Sequence, residues 1–364
     1  MSADPLDILL LAPPFEARGI CAYTVRLARG LARLGVQTQI LTSAARHLDP
    51  RIRDELPVHE WLYAHLPVWG SVLARLRSKQ LFERLPQLIH IQSPRMLRLG
   101  NELARTLQVP YVLTVHHLSD GPRLAIDRRW CQRVIAASES VADELVNRGR
   151  IPASLVTVIA PGVEACDAEQ LSPPLETGRA PVIGTAGPLE LDKGLCWFLG
   201  SARAIHAVRP EVEFVIAGSG SEETNLRRLA RELGITSQVT FAPYLYDFQI
   251  SLRAMDIFCL PAVRKGLSAI MLEAMVLGVP VVATSLGGID DVIDNQQTGI
   301  LVPPQDMAGM TDRLLWLLNN PLEARRLGAA GRERVLRDYG VDQMVSRTLA
   351  VYQAIAADPR RVAA

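Results

Sequence analysis

The residues whose types and spacing could do chemistry are concentrated between residues 254 and 284, AMDIFCLPAVRKGLSAIMLEAMVLGVPVVAT. A basic loop here ends in Gly266, and the carboxylate of Glu273 lies in the first turns of the helix predicted after it. A helix N-terminus that follows a glycine at the carboxyl edge of a parallel sheet is a place where phosphate groups bind. The stretch therefore predicts an anion site with one carboxylate close by.

The elements that position this site form a β-α-β unit. The apolar run Ile257–Leu260, between an acid and a proline, predicts a short buried strand. Ser268 is a suitable N-cap for the helix, and Gly278 followed by Pro280 ends it. Residues 281–283 predict a second buried strand. The unit implies a parallel sheet with the basic loop at its carboxyl edge.

Several other strand ends carry polar or glycine residues. The predicted strands 88–91 and 111–115 run into HIQS and TVHH, so their polar ends should meet at one sheet edge. Gly218 and Gly220 follow a strand predicted at 212–217. Taken alone, a histidine at a strand end is often an ordinary loop residue, and one G-x-G is a weak phosphate signal.

Composition limits the class of protein. The chain has 364 residues, enough for two ordinary domains, and its net charge of +1 gives no signal for nucleic-acid binding. Hydrophobic residues make up 49%, and the mean hydropathy is +0.14, which suits buried parallel sheets.

Localisation signals favour the cytoplasm. The N-terminus MSADPLDILLLAPP has acids before a short apolar run, which is wrong for a signal peptide, and no apolar run is long enough to span a membrane. The five cysteines are scattered without metal-binding spacing, as expected in a reducing compartment. A basic amphipathic helix predicted at 71–84 adds the expectation of peripheral contact with the inner membrane face, with a solvated helix face as the alternative.

The stretch PAVRKGLSAIMLEAMVLGVPVVA at 261–283 resembles the signature of the retaining GT-B glycosyltransferases known as family 4. The run that begins at residue 181, PVIGTAGPLELDKGLCWFLGSARAI, resembles the family's strand, Lys-Gly loop and helix. TGILV at 298–302 and RGI at 18–20 also resemble family segments. The similarity covers nearly the whole chain.

The resemblance implies an α/β fold of the GT-B type, with two Rossmann-like domains facing each other across a cleft. The expected N-terminal, acceptor-side domain spans 1–163, and a linker spans 164–180. The expected C-terminal domain, which binds the nucleotide sugar, spans 181–338. A C-terminal helix in 339–364 is expected to return to the first domain.

The resemblance also implies the activity: transfer of a sugar from a nucleoside diphosphate-sugar to a glycan or lipid-linked acceptor, with retention of configuration. No cofactor and no metal is expected, and the sequence has no D-x-D. The implied catalytic residues are His116, Lys265 and Glu273. The implied donor-binding residues are Gly19, Gly187, Lys193, Gly218, Gly220, Tyr244, Gly266, Leu267, Ser268 and Glu273.

Two positions depart from the family's pattern. Lys265 stands where the family has its first glutamate, and Pro188 where it has an arginine that meets the donor diphosphate. Lys265 then either supplies the missing cation or binds a carboxylate on the donor sugar. In a third interpretation the chain is a degenerate homologue that acts as a binding or partner subunit. A sugar-nucleotide epimerase on the same fold is a further, less favoured class.

Overall fold

The computed structural model describes residues 6–15, 19–45, 48, 50–61, 84–117, 124–167, 171, 173–243 and 248–357. The chain divides into two compact units. The first unit consists of Met1–Gly162 together with Val341–Ala364, and the second unit is Val163–Gly340. Each unit has its own parallel sheet.

The first unit is built on a seven-stranded sheet in the order β3-β2-β1-β4-β5-β6-β7. Its strands are β1 Asp7–Leu11, β2 Gln37–Thr42, β3 Val58–Glu60, β4 Leu88–Ile91, β5 Tyr111–Val115, β6 Cys131–Ala136 and β7 Val156–Val158. Alternate residues of β1 enter different hydrophobic cores. Ile8 and Leu10 pack into one core, and Leu9 and Leu11 pack into the other. Helices must therefore cover both faces.

The helices of the first unit are α1 Gly19–Arg33, α2 Pro50–Glu55, α3 Leu97–Leu107, α4 Glu139–Asn147 and α11 Val341–Ala356. Helices α1 and α11 pack against each other so closely that a Cβ atom on Gly30 would overlap the side chain of Val345. The C-terminal helix thus belongs to the same core as β1.

The second unit has a six-stranded sheet in the order β10-β9-β8-β11-β12-β13, with parallel pairs throughout. Its strands are β8 Val182–Ala186, β9 Glu213–Ala217, β10 Val239–Ala242, β11 Ile257–Leu260, β12 Val281–Thr284 and β13 Ile300–Val302. Its helices are α5 Leu195–Val208, α6 Glu223–Glu232, α7 Phe248–Arg253, α8 Ala269–Val276, α9 Met307–Asn319 and α10 Pro321–Asp338.

Most predicted elements agree with these bounds. The apolar run RVIAAS predicts a strand at 133–138, but β6 lies two residues earlier, because the Ser138 side chain accepts from Val141 N–H and caps α4. Residues 307–336 are helical, as the sequence predicts, in two helices that meet at Asn320, since Pro321 restricts the residue before it. The predicted Ser268 cap holds that position without a side-chain hydrogen bond.

The segment predicted as a linker is tied to the second unit. The buried Asp256 carboxylate receives two hydrogen bonds from Arg179, of 2.8 and 2.5 Å, and accepts from Leu175 N–H and Val182 N–H at 2.6 and 2.8 Å. Arg325 donates to Leu175 O at 3.1 Å. The region before β8 is thus anchored at the amino ends of β8 and β11.

Two predictions concern membranes. Among the described residues, no helix is long and apolar enough to cross a bilayer. The basic helix predicted at 71–84 lies outside the described residues apart from Arg84.

Candidate active site

Two buried glycines lie in the loops at the carboxyl edge of the second sheet. Gly187 follows β8 and Gly218 follows β9, with φ angles of 136° and 151°. Their N–H groups donate to Ala217 O at 2.9 Å and Ala242 O at 3.0 Å. A Cβ atom on Gly218 would overlap the Gly187 carbonyl oxygen. Position 218 therefore requires glycine both for its φ angle and for this close contact.

The same two loops are joined again further along. Leu189 N–H donates to Ser219 O at 3.0 Å, and Glu222 N–H donates to Leu189 O at 2.9 Å. A Cβ atom on Gly220 would overlap the Leu189 backbone. The predicted G-x-G is thus packed against the loop that follows β8, and the two form one surface.

The loop that carries Lys193 lies on the basic loop that follows β11. Val263 N–H donates to Asp192 O at 3.1 Å, and a Cβ atom on Gly194 would overlap Pro261 O. Lys193 Nζ lies 3.1 Å from Asp192 Oδ2, and Arg264 Nη1 lies 3.9 Å from the same oxygen. Two cations therefore share one carboxylate at this edge.

Sequence reasoning missed Asp192 and Arg264. Their pairing joins two loops that are distant in sequence. The only local signal is the Asp-Lys pair at 192–193 and the Arg-Lys pair at 264–265.

Helix α8 begins beside the glycine loops. Gly266 has a φ of 145°, and the chain then enters the helix through Leu267 and Ser268, all partly accessible. The Ile270 side chain, in the first turn, lies 4.0 Å from the place where a Cβ on Gly187 would stand. Glu273 is half-buried one turn further on, whereas Lys265 is exposed before the helix.

The structure brings most predicted donor-binding residues to this edge or to the first turns of α8: Gly187, Lys193, Gly218, Gly220, Gly266, Leu267, Ser268 and Glu273. A helix N-terminus and clustered cations suit an anionic ligand. Gly19, by contrast, is the first residue of α1 in the first unit, and Tyr244 lies outside the described residues.

His116 lies in the first unit, directly after β5. Its ring packs against the edge of Tyr23 from α1, with ring centroids 4.9 Å apart and planes at 81°. Burial and then the neighbouring His117 lower the pKa of His116 to about 4, so the ring is neutral near pH 7. Its Nε2 atom is buried and finds no hydrogen-bond partner among the described residues.

A second imidazole, which sequence reasoning did not assign to the site, interacts with the first. His90 on β4 is fully buried, with Nδ1 2.5 Å from the Tyr352 hydroxyl and Nε2 2.7 Å from the Thr114 hydroxyl. Burial, with a smaller contribution from His116, lowers the pKa of His90 to about 3. The sequence showed its strand but not its partner 262 positions away.

In the described parts of the chain, no group of three or more His, Cys, Asp or Glu side chains is arranged to hold a metal ion. That transfer requires no metal remains a prediction.

Comparison with known families gives one match on each unit. The family described as "Glycosyltransferase Family 4" matches residues 17–165, and the family described as "Glycosyl transferases group 1" matches residues 180–320. Together the two matches span both sheets.

Individual proteins agree with these matches. The glycogen synthase of Mycobacterium tuberculosis is 25% identical over 383 residues, covering 94% of this chain and 92% of the relative. The 2-deoxystreptamine glucosyltransferase of Streptomyces kanamyceticus is 25% identical and covers 91% and 97%. The crystal structure of Anabaena Alr3699/HepE in complex with UDP-glucose has the same fold, with a TM-score of 0.80 at 16% identity over 97% of this chain and 100% of that chain. The chain therefore belongs to the group 1, family 4 glycosyltransferases and is a glycosyltransferase with the GT-B fold.

Proposed function

We propose that this enzyme transfers a sugar from a nucleoside diphosphate-sugar to a glycan or lipid-linked acceptor, with retention of anomeric configuration. The observation that carries the donor assignment is the carboxyl edge of the second sheet, where bare glycine loops, Lys193 and the start of α8 converge. A solved structure of the same fold contains UDP-glucose, which supports a donor of this class.

The donor diphosphate is the group that this edge suits best. Helix α8 presents the positive end of its dipole, and Lys193 and Arg264 outnumber the carboxylate of Asp192, which they share. Positive charge there stabilises the diphosphate as it leaves with the bond electrons. Gly218 lets the loops after β8 and β9 pack closely beside this edge.

Glu273 is proposed to bind the ribose of the donor. An ionised carboxylate is an acceptor of hydrogen bonds only, and ribose hydroxyls are donors. The residue is half-buried in the second turn of α8, where a ligand bound at the helix N-terminus would be within a few ångströms.

His116 is proposed to line the reaction centre. Its neutral ring has one N–H donor and one acceptor nitrogen, so it can bind a sugar hydroxyl without adding charge. The buried Nε2 atom, unpartnered among the described residues, is the one available for this hydrogen bond.

Lys265 decides between variants of this proposal. It is exposed at the edge where Lys193 and Arg264 already share a carboxylate. It either adds a third cation for the diphosphate, in place of the arginine absent at 188, or binds a carboxylate on the donor sugar. The similar proteins are named as synthases and transferases, which gives no support to a partner-subunit role.

Acceptor and membrane contact form the least specific part of the proposal. The similar proteins range in name from glycogen synthase to a 2-deoxystreptamine glucosyltransferase, so the acceptor is kept as a class. Contact with an anionic membrane through 71–84 is testable by co-sedimentation with phosphatidylglycerol vesicles. Binding that persists after Arg75, Arg77, Lys79 and Arg84 are changed to glutamine would assign the contact elsewhere.

The first test is calorimetric binding of UDP, GDP and ADP and their common sugar conjugates. We expect one nucleotide to bind, and Glu273→Ala or Lys193→Ala to weaken it about 10- to 100-fold, as for loss of a charged hydrogen bond. Arg228→Ala and Glu232→Ala on exposed α6 are the matched controls and should bind as the parent does. No binding by any nucleotide would contradict the donor assignment.

Transfer itself needs a second assay. With the identified sugar conjugate, proton NMR of the product should show the anomeric configuration of the donor retained. Activity that is absent from the parent chain and appears in Lys265→Glu would instead identify a degenerate homologue. A donor with a uronic acid that binds the parent better than Lys265→Ala would identify the carboxylate-binding variant.

A further inference from the structure

The first unit contains a cluster of buried polar side chains next to His116. We name it the buried polar cluster and define it as Tyr23, His90, Thr114, Thr348 and Tyr352. Each of the five is at most 3% exposed. They come from α1, β4, β5 and α11, so the cluster joins four elements of the first unit. Buried polar groups are costly unless they are satisfied, so such a cluster needs an explanation.

His90 is the centre of the cluster and has a fixed hydrogen-bonding pattern. With a pKa of about 3 its ring is neutral, so one nitrogen donates and the other accepts. Both nitrogens are used, by Tyr352 at 2.5 Å and by Thr114 at 2.7 Å. These two hydrogen bonds hold the His90 ring in one orientation and link β5 to α11.

Thr114 connects His90 to the end of β5, and His116 lies in the bend that directly follows this strand. The two imidazoles interact, since His116 contributes to the low pKa of His90. The hydrogen bond between Thr114 and His90 thus restrains the end of β5 that leads into His116.

Tyr23 makes the direct contact with His116. The two rings meet edge to face at 4.9 Å, and the Tyr23 side chain is only 3% exposed. Its hydroxyl lies within reach of Thr114 and Thr348, although no described residue gives it a hydrogen bond of ordinary geometry. Thr348 in turn donates to Met344 O at 2.7 Å within α11. The Tyr23 ring is therefore held between the sheet and the C-terminal helix.

We propose that the buried polar cluster fixes the orientation of the His116 ring, with Tyr23 as the positioning residue that contacts it. Helix α11 supports this arrangement from the far side through Tyr352. The catalytic value of that orientation rests on the role proposed for His116 above. The orientation itself does not depend on that role and is measurable separately.

A purely structural role for the cluster gives a different expectation. If the cluster only attached α11 to the sheet, its variants would lose stability without changing the His116 environment. Tyr111→Phe is a matched control, because Tyr111 is equally buried in β5 and its oxygen accepts from Asp127 N–H at 2.9 Å, away from the cluster. Like Tyr352→Phe, the Tyr111→Phe variant removes one buried hydroxyl group.

The experiment measures the His116 ring by ¹H–¹³C NMR on histidine-labelled protein, with His116→Gln to assign the signal. We expect the His116 signal to move in Tyr23→Leu, by loss of the tyrosine ring current, and to broaden as the ring samples other orientations. Tyr23→Phe should stay close to the parent, and Tyr352→Phe should move the signal less than Tyr23→Leu. An unbroadened His116 signal in Tyr23→Leu, shifted only by the missing ring current, overturns the proposal.

Kinetics separate this proposal from the proposed function. For UDP-glucose, or for the sugar nucleotide that the binding screen selects, Tyr23→Leu should lower kcat about tenfold or more, as misplacement of a reacting group does, with KM within about twofold. Tyr23→Phe should restore kcat. A broadened His116 signal with unchanged kcat would leave the positioning role in place and remove His116 from the reaction. If Tyr23→Leu does not fold, Tyr23→Met fills the space and allows the same measurements.

Discussion

The candidate sites of the two units consist of different kinds of chemical group. At the carboxyl edge of the second sheet, the site consists mainly of backbone, namely the glycine loops and a helix N-terminus. Partly accessible cationic side chains are added to it. At the corresponding edge of the first sheet, the region around His116 consists of buried side chains from four elements. A backbone site suits a ligand recognised by charge, and a side-chain site suits one ring held in one orientation.

The difference extends to where each unit keeps its buried polar groups. The first unit places His90 and its partners under the predicted reaction centre. The second unit places its buried charge, Asp256, at the amino end of β11, away from the glycine loops. We infer that the His90 cluster serves the site of the first unit, whereas Asp256 serves the stability of the second.

The largest expected effect tests that inference in the second unit. Asp256→Asn removes the charge that meets Arg179 and weakens acceptance from Leu175 N–H and Val182 N–H. Breaking a buried pair typically costs about 3–5 kcal/mol. Urea unfolding should show this loss, whereas nucleotide affinity of the folded protein should stay unchanged.

The control for Asp256 is an ion pair of similar geometry that is less buried. Asp294 meets Arg334 at 2.6 Å, but its side chain is 44% exposed. Asp294→Asn should cost no more than about 1 kcal/mol. Equal losses from the two variants would show that burial is not what makes Asp256 important.

A backbone site should not tolerate a single added methyl group. Gly218→Ala forces a Cβ atom onto Gly187 O at a φ of 151°, and we expect a loss of about 2–3 kcal/mol together with weakened nucleotide binding. Gly234→Ala is the control, since its φ of 72° is also positive but nothing lies within 4 Å. It should cost about 1 kcal/mol. If the two substitutions behaved alike, the close loop contact would not be a requirement of the site.

The two regions also differ in how far the sequence predicts them. In the second unit, the strand, basic loop, helix and strand that form the site follow one another in the chain, so local patterns predict them. The exceptions, Asp192 and Arg264, pair across two loops. In the first unit, apolar runs predicted the strands except β3 Val58–Glu60, but the His90–Tyr352 bond joins residues 262 positions apart. No local pattern shows such a contact, because only the packing of α11 creates it.

Acid should weaken the first unit in particular. Burial lowers the pKa of His90 to about 3 and that of His116 to about 4, while an unfolded histidine titrates near pH 6.5. Between these pH values the unfolded chain binds protons that the folded chain does not. The contribution of the two histidines to the free energy of unfolding is therefore fully present above pH 6.5 and decreases as the pH falls. Each histidine contributes up to about 1.4 kcal/mol per pH unit.

The measurement is urea unfolding between pH 7 and pH 5, above the range where carboxylates dominate. His116→Gln removes one titrating group, so its stability should fall less steeply with acid than that of the parent. Identical slopes for the parent and the variant would mean that His116 is not buried as a neutral ring.

The smallest expected effect is that of a chelator on transfer. Lys193, Arg264 and the start of α8 supply positive charge where a divalent cation would otherwise neutralise a diphosphate. We therefore expect EDTA to leave the rate unchanged, with nucleotide binding measured in parallel. Loss of activity that Mg²⁺ or Mn²⁺ restores would mean that this backbone edge is short of positive charge. In that case the missing charge would be the arginine that Pro188 replaces. Pro188→Arg should then reduce the metal requirement.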